Sequence, residues 1–355
     1  MSEIPELSPS FFLGKNSKDV ISFGSGQPDL PPPKEVCDVR EGPGDFKYGS
    51  VEGLLPLRER LAKNYPESTP ESFIITNGAS EALDLTLRVL SKKGKKVLLP
   101  RPYYYSYPFL ADFCGMEAVY TDLKEGRLDI EDVREKIKDC IAMVINSPSN
   151  PTGRVEAMDT LHEIEKLSEE HGTYIISDEV YKDIIYEREN YLIKGPKVIT
   201  VNSFSKTYSM CSDRVGFLWS RDKGIIDDVK AMKTHTSMNT NVLGQNRALA
   251  AMGADEEYVK GQLKIWHERR KLMLSMLDKI GLEAWKPEGA FYVLPKVKNT
   301  KKVVWELYNN HNVIVYRGEW FGAEDKIRLS YALDKEKIIK GMEIIGEYLK
   351  SQNNN

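Results

Sequence analysis

Short apolar runs recur through the first two thirds of the chain, and each is too short to form a helix of ordinary length. Between them, apolar residues return every three or four positions, as on the buried face of a helix. Continuous apolar strands that alternate with helices are typical of a mostly parallel sheet covered on both faces, so we predict an α/β fold. The predicted strands are residues 73–76, 97–99, 142–145, 174–176, 198–201 and 215–219.

Two of the intervening helices are defined by their apolar faces. The first follows a turn at Asn77-Gly78, and the second ends at Gly172, because glycine is common just past a helix C-terminus. These faces consist of Leu83, Leu87 and Leu90 in the first helix, and of Leu161, Ile164 and Leu167 in the second.

The pattern changes after about Arg221, where strands and helices follow in mixed order and indicate a smaller α+β domain. We predict a large domain over residues 42–235 and a second unit built from residues 1–41 and 236–355. The proline-rich segment 27–33 reads as an extended N-terminal arm, and residues 352–355 as a frayed tail. The elements predicted in the second unit are a helix over 257–280, strands over 291–294 and 327–330, and a closing helix that carries Ile338, Met342, Ile345 and Leu349.

Composition narrows the choice of partners and compartment. The net charge of -3 argues against binding to nucleic acid or to a membrane surface. No apolar run approaches the ~18 residues of a membrane span, and the N-terminus lacks the pattern of a signal peptide. Four scattered cysteines indicate reduced, mostly core thiols, and the five histidines show no metal-ligand spacing, so we expect a cytoplasmic protein without a metal site.

One segment carries the most specific chemistry. Ser203, Lys206 and Arg214 follow the apolar run at 198–201. A lysine amine can form an imine with a carbonyl compound, while a serine hydroxyl and an arginine at this spacing can hold a phosphate. An aldehyde that also carries a phosphate is pyridoxal 5'-phosphate (PLP), which the segment therefore predicts as cofactor.

Polar residues after two other strands fit the ring of that cofactor. Asp178 ends a strand at the carboxyl edge of the predicted sheet, where a carboxylate would keep the pyridine nitrogen protonated. Tyr181 and Asn150 could donate hydrogen bonds to the ring oxygen. The alternatives are a helix cap for Asp178 and a plain turn for the segment Asn150 to Gly153.

Further candidates complete the site. Gly78-Ala79-Ser80 lies between a strand and a helix, where backbone N–H groups form an anion site, although this pattern alone is weak. One residue of the tyrosine cluster 103–107 could stack on the ring, but core packing would explain the cluster equally. Arg328 could bind a carboxylate through two hydrogen bonds, whereas an arginine in a strand more often faces solvent.

Short motifs follow one another in order along the chain. They are Gly26-Gln27-Pro28-Asp29, Tyr48-Gly49, Asn77-Gly78-Ala79-Ser80, Pro102-Tyr103-Tyr104, Asn150-Pro151-Thr152-Gly153, Ser177-Asp178-Glu179-Val180-Tyr181, Ser203-Phe204-Ser205-Lys206, Arg214-Val215-Gly216, Gly289-Ala290-Phe291-Tyr292 and Arg328-Leu329-Ser330-Tyr331. Taken in this order, they resemble the motifs of the class I/II aminotransferases, which are fold-type I PLP-dependent enzymes. The resemblance extends from about Ser22 to Tyr331 and implies a large domain with a mostly parallel seven-stranded sheet, plus a smaller α+β domain.

The resemblance also implies a role for each site residue. Lys206, Asp178 and Tyr181 would be catalytic, and Tyr104 would stack on the ring. Tyr48 would reach the phosphate in the neighbouring subunit, which implies a homodimer with shared active sites. The cofactor contacts would come from Gly78, Ala79, Ser80, Tyr104, Asn150, Asp178, Tyr181, Ser203, Lys206, Arg214 and Tyr48, and the substrate contacts from Gly26, Asn150 and Arg328.

The implied reaction moves an amino group from an L-amino acid to a 2-oxo acid, with 2-oxoglutarate as the expected acceptor, by ping-pong kinetics. A PLP-dependent carbon–sulfur lyase or phosphoamino-acid decarboxylase would use the same residues. A PLP-binding regulator without catalysis is the remaining alternative, and we expect no room for its DNA-binding module because the motifs begin near residue 22. Arg101 and Arg154 are candidates for gripping a substrate side-chain carboxylate, although both could be solvated loop residues.

Overall fold

The structure is a computed structural model that describes residues 5–12, 14–15, 19–42, 46–254 and 256–353. Residues 352 and 353 belong to the last helix rather than to a frayed tail, and residues 354–355 lie outside the described part. Across the described residues, every helix is either too short or too polar to span a lipid bilayer.

The largest sheet has seven strands in the order β2-β8-β7-β6-β5-β3-β4. All neighbouring pairs between β4 and β7 are parallel, while β8 is antiparallel to both β7 and β2. The predicted mostly parallel α/β sheet is therefore confirmed. The strands are β1 (Ile21–Ser22), β2 (Phe73–Thr76), β3 (Lys96–Arg101), β4 (Glu117–Asp122), β5 (Ala142–Asn146), β6 (Tyr174–Asp178), β7 (Val198–Ser203), β8 (Gly216–Ser220), β9 (Tyr292–Val293), β10 (Val313–Ile314), β11 (Tyr316–Arg317) and β12 (Ile327–Ser330).

Helices cover both faces of this sheet, and its strands are buried on alternate sides. Val97 and Leu99 belong to one apolar cluster while Leu98 belongs to another, because successive side chains of a strand point to opposite faces. The helices are α1 (Lys34–Asp38), α2 (Leu55–Ala62), α3 (Gly78–Leu90), α4 (Ser106–Phe113), α5 (Ile130–Ile137), α6 (Met158–His171), α7 (Phe204–Thr207), α8 (Lys223–His235), α9 (Val242–Ala251), α10 (Glu256–Ile280), α11 (Thr300–His311) and α12 (Lys335–Asn353).

A second group of elements packs around a separate apolar cluster. Its antiparallel sheet has the order β11-β12-β9, and β1 pairs in parallel with β10. The cluster also contains Leu7, Phe12 and Phe23 from the N-terminal segment and Trp266 from α10. The smaller α+β unit is thus observed, and N-terminal residues contribute to its core.

Two sequence expectations were wrong or incomplete. Strand β4 was missed because it is an edge strand with polar residues at both ends, Glu117 and Asp122, and lacks a continuous apolar run. The four cysteines are free, yet only Cys140 is buried, whereas Cys37 is exposed. The thiols are therefore not mostly core residues.

Candidate active site

The candidate site lies where several strands of the large sheet end. Asn146 and Asp178 are register partners at the carboxyl ends of β5 and β6. On the other side of β7, Gly216 begins β8 and pairs with Ser203 of β7 and Thr76 of β2. The turns that follow β2, β5, β6 and β7 consequently meet at one edge, which is where open α/β sheets bind ligands.

A cavity of about 500 Å³ opens at this edge. Most of the predicted site residues line it together with aromatic residues of the second unit. They are Gly26, Ala79, Ser80, Tyr104, Asn150, Asp178, Tyr181, Ser203, Lys206, Arg214 and Arg328.

Lys206 lies in the one-turn helix α7, directly after β7. Ser203 caps this turn, since its Oγ accepts a hydrogen bond of 3.0 Å from the Ser205 N–H. The Lys206 Nζ donates a hydrogen bond of 2.6 Å to the Gly26 carbonyl oxygen. The amine is thus held inside the cavity between the large sheet and the N-terminal segment.

Asp178 supplies a carboxyl group to the site and is 4% exposed. Its Oδ2 accepts a hydrogen bond of 2.7 Å from the Tyr107 hydroxyl, and its Oδ1 accepts one of 3.3 Å from the Val180 N–H. Burial raises the pKa of Asp178 to about 6, although these two donors and the nearby Lys206 amine favour the charged form. The Asp178 side chain does not cap a helix, which was the alternative role.

The turn after β2 forms the candidate phosphate cup. Gly78 has φ of +76° and begins the 13-residue helix α3, whose first turn also contains the N–H groups of Ala79 and Ser80. The Arg214 Nη2 lies so close that a Cβ at Gly78 would approach it to 2.5 Å. The same Nη2 donates a hydrogen bond of 3.4 Å to the Asn77 carbonyl oxygen. Gly78 therefore shapes the cup without lining the cavity.

Arg328 does not face solvent, because it is 2% exposed at the centre of β12. Its Nη1 donates a hydrogen bond of 3.0 Å to Asn150 Oδ1, and its Nη2 donates to the Gly24 carbonyl oxygen. The guanidinium carbon lies 4.6 Å from the ring centre of Tyr292 and 4.9 Å from that of Tyr316. Among the described residues its Nε has no hydrogen-bond partner, so this arginine of the cavity lining keeps one buried donor unsatisfied.

The two tyrosines near Arg328 and Asp178 are also buried. The hydroxyl oxygens of Tyr181 and Tyr292 are 2.8 Å apart, and the Tyr292 hydroxyl donates to the Gly26 carbonyl oxygen at 3.4 Å. Burial raises the pKa of Tyr181 well above its ordinary value, so this phenol remains a hydrogen-bond donor at neutral pH. Tyr104 lines the cavity with its ring centre 5.5 Å from that of Tyr107.

Three predicted residues lie elsewhere. Tyr48 is 84% exposed and contributes to a separate surface hollow with residues 237–239 and 241–243. Arg101 forms a two-pronged ion pair with Asp122 at 2.6 and 2.8 Å, and Arg154 donates to the Lys286 carbonyl oxygen at 3.0 Å. Neither of these two arginines lines the cavity; among the described residues, the arginines of the lining are Arg214 and Arg328.

Sequence reasoning overlooked three contributors. The sequence indicates Tyr107 only as part of a tyrosine cluster and assigns no role to Asn146, yet the Asn146 Nδ2 donates a hydrogen bond of 3.0 Å to the Asp178 carbonyl oxygen. Tyr292 had no assigned role although its motif was recognised. The available signal was position, because Asn146 directly follows the predicted strand 142–145, just as Asp178 follows the apolar run 174–176.

Comparison with known proteins identifies the class. The family model for aminotransferase class I and II matches residues 18–345, so the chain belongs to this family. It is 33% identical to the probable aspartate/prephenate aminotransferase of Aquifex aeolicus, with 98% of each chain covered. Among solved structures, the aspartate aminotransferase of Thermus thermophilus with maleate superposes with a TM-score of 0.89, at 29% identity over 93% of this chain and 92% of that one.

An aromatic aminotransferase from Pyrococcus horikoshii OT3 is similar at a TM-score of 0.87, with 32% identity over 98% of this chain and 100% of that one. The chain is a PLP-dependent aminotransferase that acts on amino acids and 2-oxo acids. The cavity suits PLP in chemical terms. It presents a lysine amine, a buried carboxyl group, a turn that can bind an anion, and an arginine N–H without a hydrogen-bond partner among the described residues.

Proposed function

We propose that this aminotransferase moves the amino group of an L-amino acid to 2-oxoglutarate by a ping-pong mechanism in one cavity. The observation that carries this proposal is the convergence of Lys206, Asp178 and Arg328 on a single space. Such a space can hold an amine, a ring nitrogen and a carboxylate at the same time.

PLP, when bound, supplies an aldehyde that captures amino groups and a ring that accepts the electron pair of a broken bond. Lys206 would hold this aldehyde, and its freed amine would then remove the substrate α-proton. The same amine would return the proton to the former aldehyde carbon.

The other side chains would hold the cofactor in place. Asp178 would keep the ring nitrogen protonated, and Tyr104 would cover the ring face. Tyr181 and Asn150 would donate to the ring oxygen. The phosphate would bind to Ala79, Ser80, Ser203 and Arg214, with the turn at Gly78 shaping the cup.

Arg328 would bind the α-carboxylate, with Asn150 and the Gly26 backbone beside it. An amino acid and a 2-oxo acid both carry this carboxylate next to the reacting carbon. A single arginine can therefore orient the donor and, after its product leaves, the acceptor. Because the donor and the acceptor would use the same grip, they would occupy the cavity in turn, as a ping-pong mechanism requires.

We further infer a cytoplasmic homodimer whose large domain comprises residues 42–235. Tyr48 is exposed on this chain, and we infer that its hydroxyl reaches the phosphate in the partner's site. Burial of an 84% exposed aromatic side chain in an interface would also stabilise the pair.

The test is a pair of half-reactions. The PLP-loaded protein is mixed with one L-amino acid at a time in the absence of any acceptor. The proposal predicts a shift of the cofactor absorbance and one equivalent of 2-oxo acid, followed by recovery of the first spectrum and release of glutamate when 2-oxoglutarate is added. Release of carbon dioxide without 2-oxo acid would indicate a decarboxylase. Continuous release of sulfide or thiol, ammonia and 2-oxo acid in the absence of acceptor would indicate a lyase. Either result would contradict the proposal. The Lys206→Ala variant is the inactive control.

A further inference from the structure

A lysine that carries no part of the chemistry is completely buried beside the phosphate cup. Lys233 lies in the last turn of α8 and its side chain is 0% exposed. Its Nζ donates hydrogen bonds of 2.8 Å to Glu81 Oε2 and 2.8 Å to Ser237 Oγ. A charged amine is taken out of water only where strong partners replace the water, and Glu81 is the charged partner here.

Glu81 in turn holds Asn77, the residue at which the turn of the phosphate cup begins. Glu81 lies in the first turn of α3, and its Oε2 accepts hydrogen bonds from the Asn77 N–H at 2.6 Å and from Asn77 Nδ2 at 3.1 Å. The Asn77 carbonyl oxygen accepts from Arg214 Nη2. Asn77 is thus held from one side by Glu81 and from the other by the arginine of the cup.

This arrangement places a carboxylate next to the turn where a phosphate is expected to bind. Glu81 follows Ser80 directly, so both anions would share the positive end of α3. Burial opposes the charge on Glu81, yet the donors Lys233 and Ser237 lower its pKa, and the carboxylate is charged at neutral pH. An uncompensated carboxylate at this position would repel a cofactor phosphate.

We propose that Lys233 is a positioning residue for the cofactor phosphate: it neutralises Glu81, so that Glu81 can fix Asn77 without repelling the phosphate. This inference rests on the proposed binding of phosphate by the cup of Ala79, Ser80 and Arg214. It makes a prediction specific to the phosphate charge, because pyridoxal has the same ring and aldehyde without that charge.

The experiment measures the dissociation constants of PLP and of pyridoxal for the full-length protein and compares their ratio between variants. In Lys233→Met, the preference for PLP over pyridoxal should fall by roughly tenfold or more, because an uncompensated carboxylate near the phosphate opposes its binding by more than about 1 kcal/mol at an effective dielectric constant near ~20. In Lys233→Met/Glu81→Gln the preference should return toward that of the wild type, because both charges are gone. In Glu81→Gln alone, the preference for PLP over pyridoxal should rise above that of the wild type. An unchanged ratio in the single variants would overturn the inference.

Lys230→Met is the matched control. It removes the same charge from the same helix one turn earlier, but Lys230 is 47% exposed and pairs with Glu52 at the surface, where water screens it. Its ratio should equal that of the wild type. If Lys233→Met does not fold, Glu81→Gln alone tests the inference. This variant removes the negative charge but keeps a side-chain oxygen that can accept the hydrogen bonds from Asn77.

Arg214→Ala separates this inference from the proposed function. If the wild type binds PLP and pyridoxal equally, and Arg214→Ala changes nothing, the proposed phosphate cup is wrong. If the wild type prefers PLP and Arg214→Ala abolishes that preference while Lys233→Met and Glu81→Gln leave it intact, the cup is correct and only the role of Lys233 is wrong.

Discussion

The Tyr107 hydroxyl donates a hydrogen bond of 2.7 Å to Asp178 Oδ2, and both side chains are buried. The bond joins residues 71 positions apart and connects the start of α4 to the end of β6. Because burial raises the pKa of Asp178 to about 6, this donor is one of the groups that keep the carboxylate charged near neutral pH.

Tyr107→Phe should therefore move the acidic limb of the pH profile of kcat/KM to higher pH. In its proposed role only the charged Asp178 would stabilise the ring proton, so activity would be lost as pH falls through its pKa. A hydrogen bond to a charged group contributes about 1.5–3 kcal/mol, which corresponds to a shift of about one pH unit or more. Tyr103→Phe is the control, since Tyr103 belongs to the same tyrosine cluster but packs on Tyr120. An acidic limb that stays in place in Tyr107→Phe would remove this role.

Arg328→Lys should lower kcat/KM about 100-fold for the amino donor and for the acceptor alike. Lysine keeps the charge but lacks the planar fork that matches a carboxylate, and it cannot replace the hydrogen bonds to Asn150 and Gly24. Arg317→Lys, on the neighbouring strand β11, is the control because Arg317 pairs with Glu6 instead. Steady-state kinetics with both substrates test this, and an effect on only one of them would contradict a shared carboxylate grip.

Gly216→Ala should weaken PLP binding and destabilise the fold by about 1–3 kcal/mol. A Cβ at this position would lie 2.6 Å from the Asn202 carbonyl oxygen and 2.7 Å from the Ala79 backbone nitrogen, so the cup itself would have to move. Gly261→Ala in α10 is the matched control, because its Cβ would meet nothing within 4 Å and alanine favours helix. Thermal unfolding and PLP titration measure both effects. Equal behaviour of the two variants would show that the close approach at Gly216 is unimportant.

Glu156 should make the protein less stable as pH rises. Burial raises its pKa to about 7 from 4.5, so the folded state binds more protons than the unfolded state between these values. The free energy of unfolding consequently falls from pH 5 to pH 8, by about 2 kcal/mol from this group. Denaturant unfolding at both pH values measures the difference, which should shrink by about that amount in Glu156→Gln. A difference that persists unchanged would mean that Glu156 is already charged at pH 5.

The strands of the large sheet could be predicted because their signal is local. Runs such as residues 142–145 and 198–201 are apolar throughout, and the positions of Asp178 and Lys206 after such runs place them at one edge of the sheet. Edge strand β4 gave no such signal, since one side of an edge strand lacks a neighbour and tolerates polar residues.

The contacts that tune the site could not be predicted, because they join distant parts of the chain. Nothing near Tyr107 in sequence distinguishes it from Tyr103 or Tyr105 as the donor to Asp178. Lys233 in an amphipathic helix reads as a solvent-exposed residue, and only its distance to Glu81, 152 positions away, reveals that it is buried and paired. Such pairings depend on how α3 packs against α8, which the sequence pattern does not specify.

The proposed chemistry depends most directly on Lys206, because this residue would hold the cofactor. Borohydride reduction of the PLP-loaded protein, followed by proteolysis and mass mapping, locates the lysine to which PLP was attached. We predict the reduced adduct on Lys206. In Lys206→Ala, both the adduct and turnover should be lost. An adduct on a different lysine in the wild type, or a trapped adduct and full turnover in Lys206→Ala, would contradict the central claim.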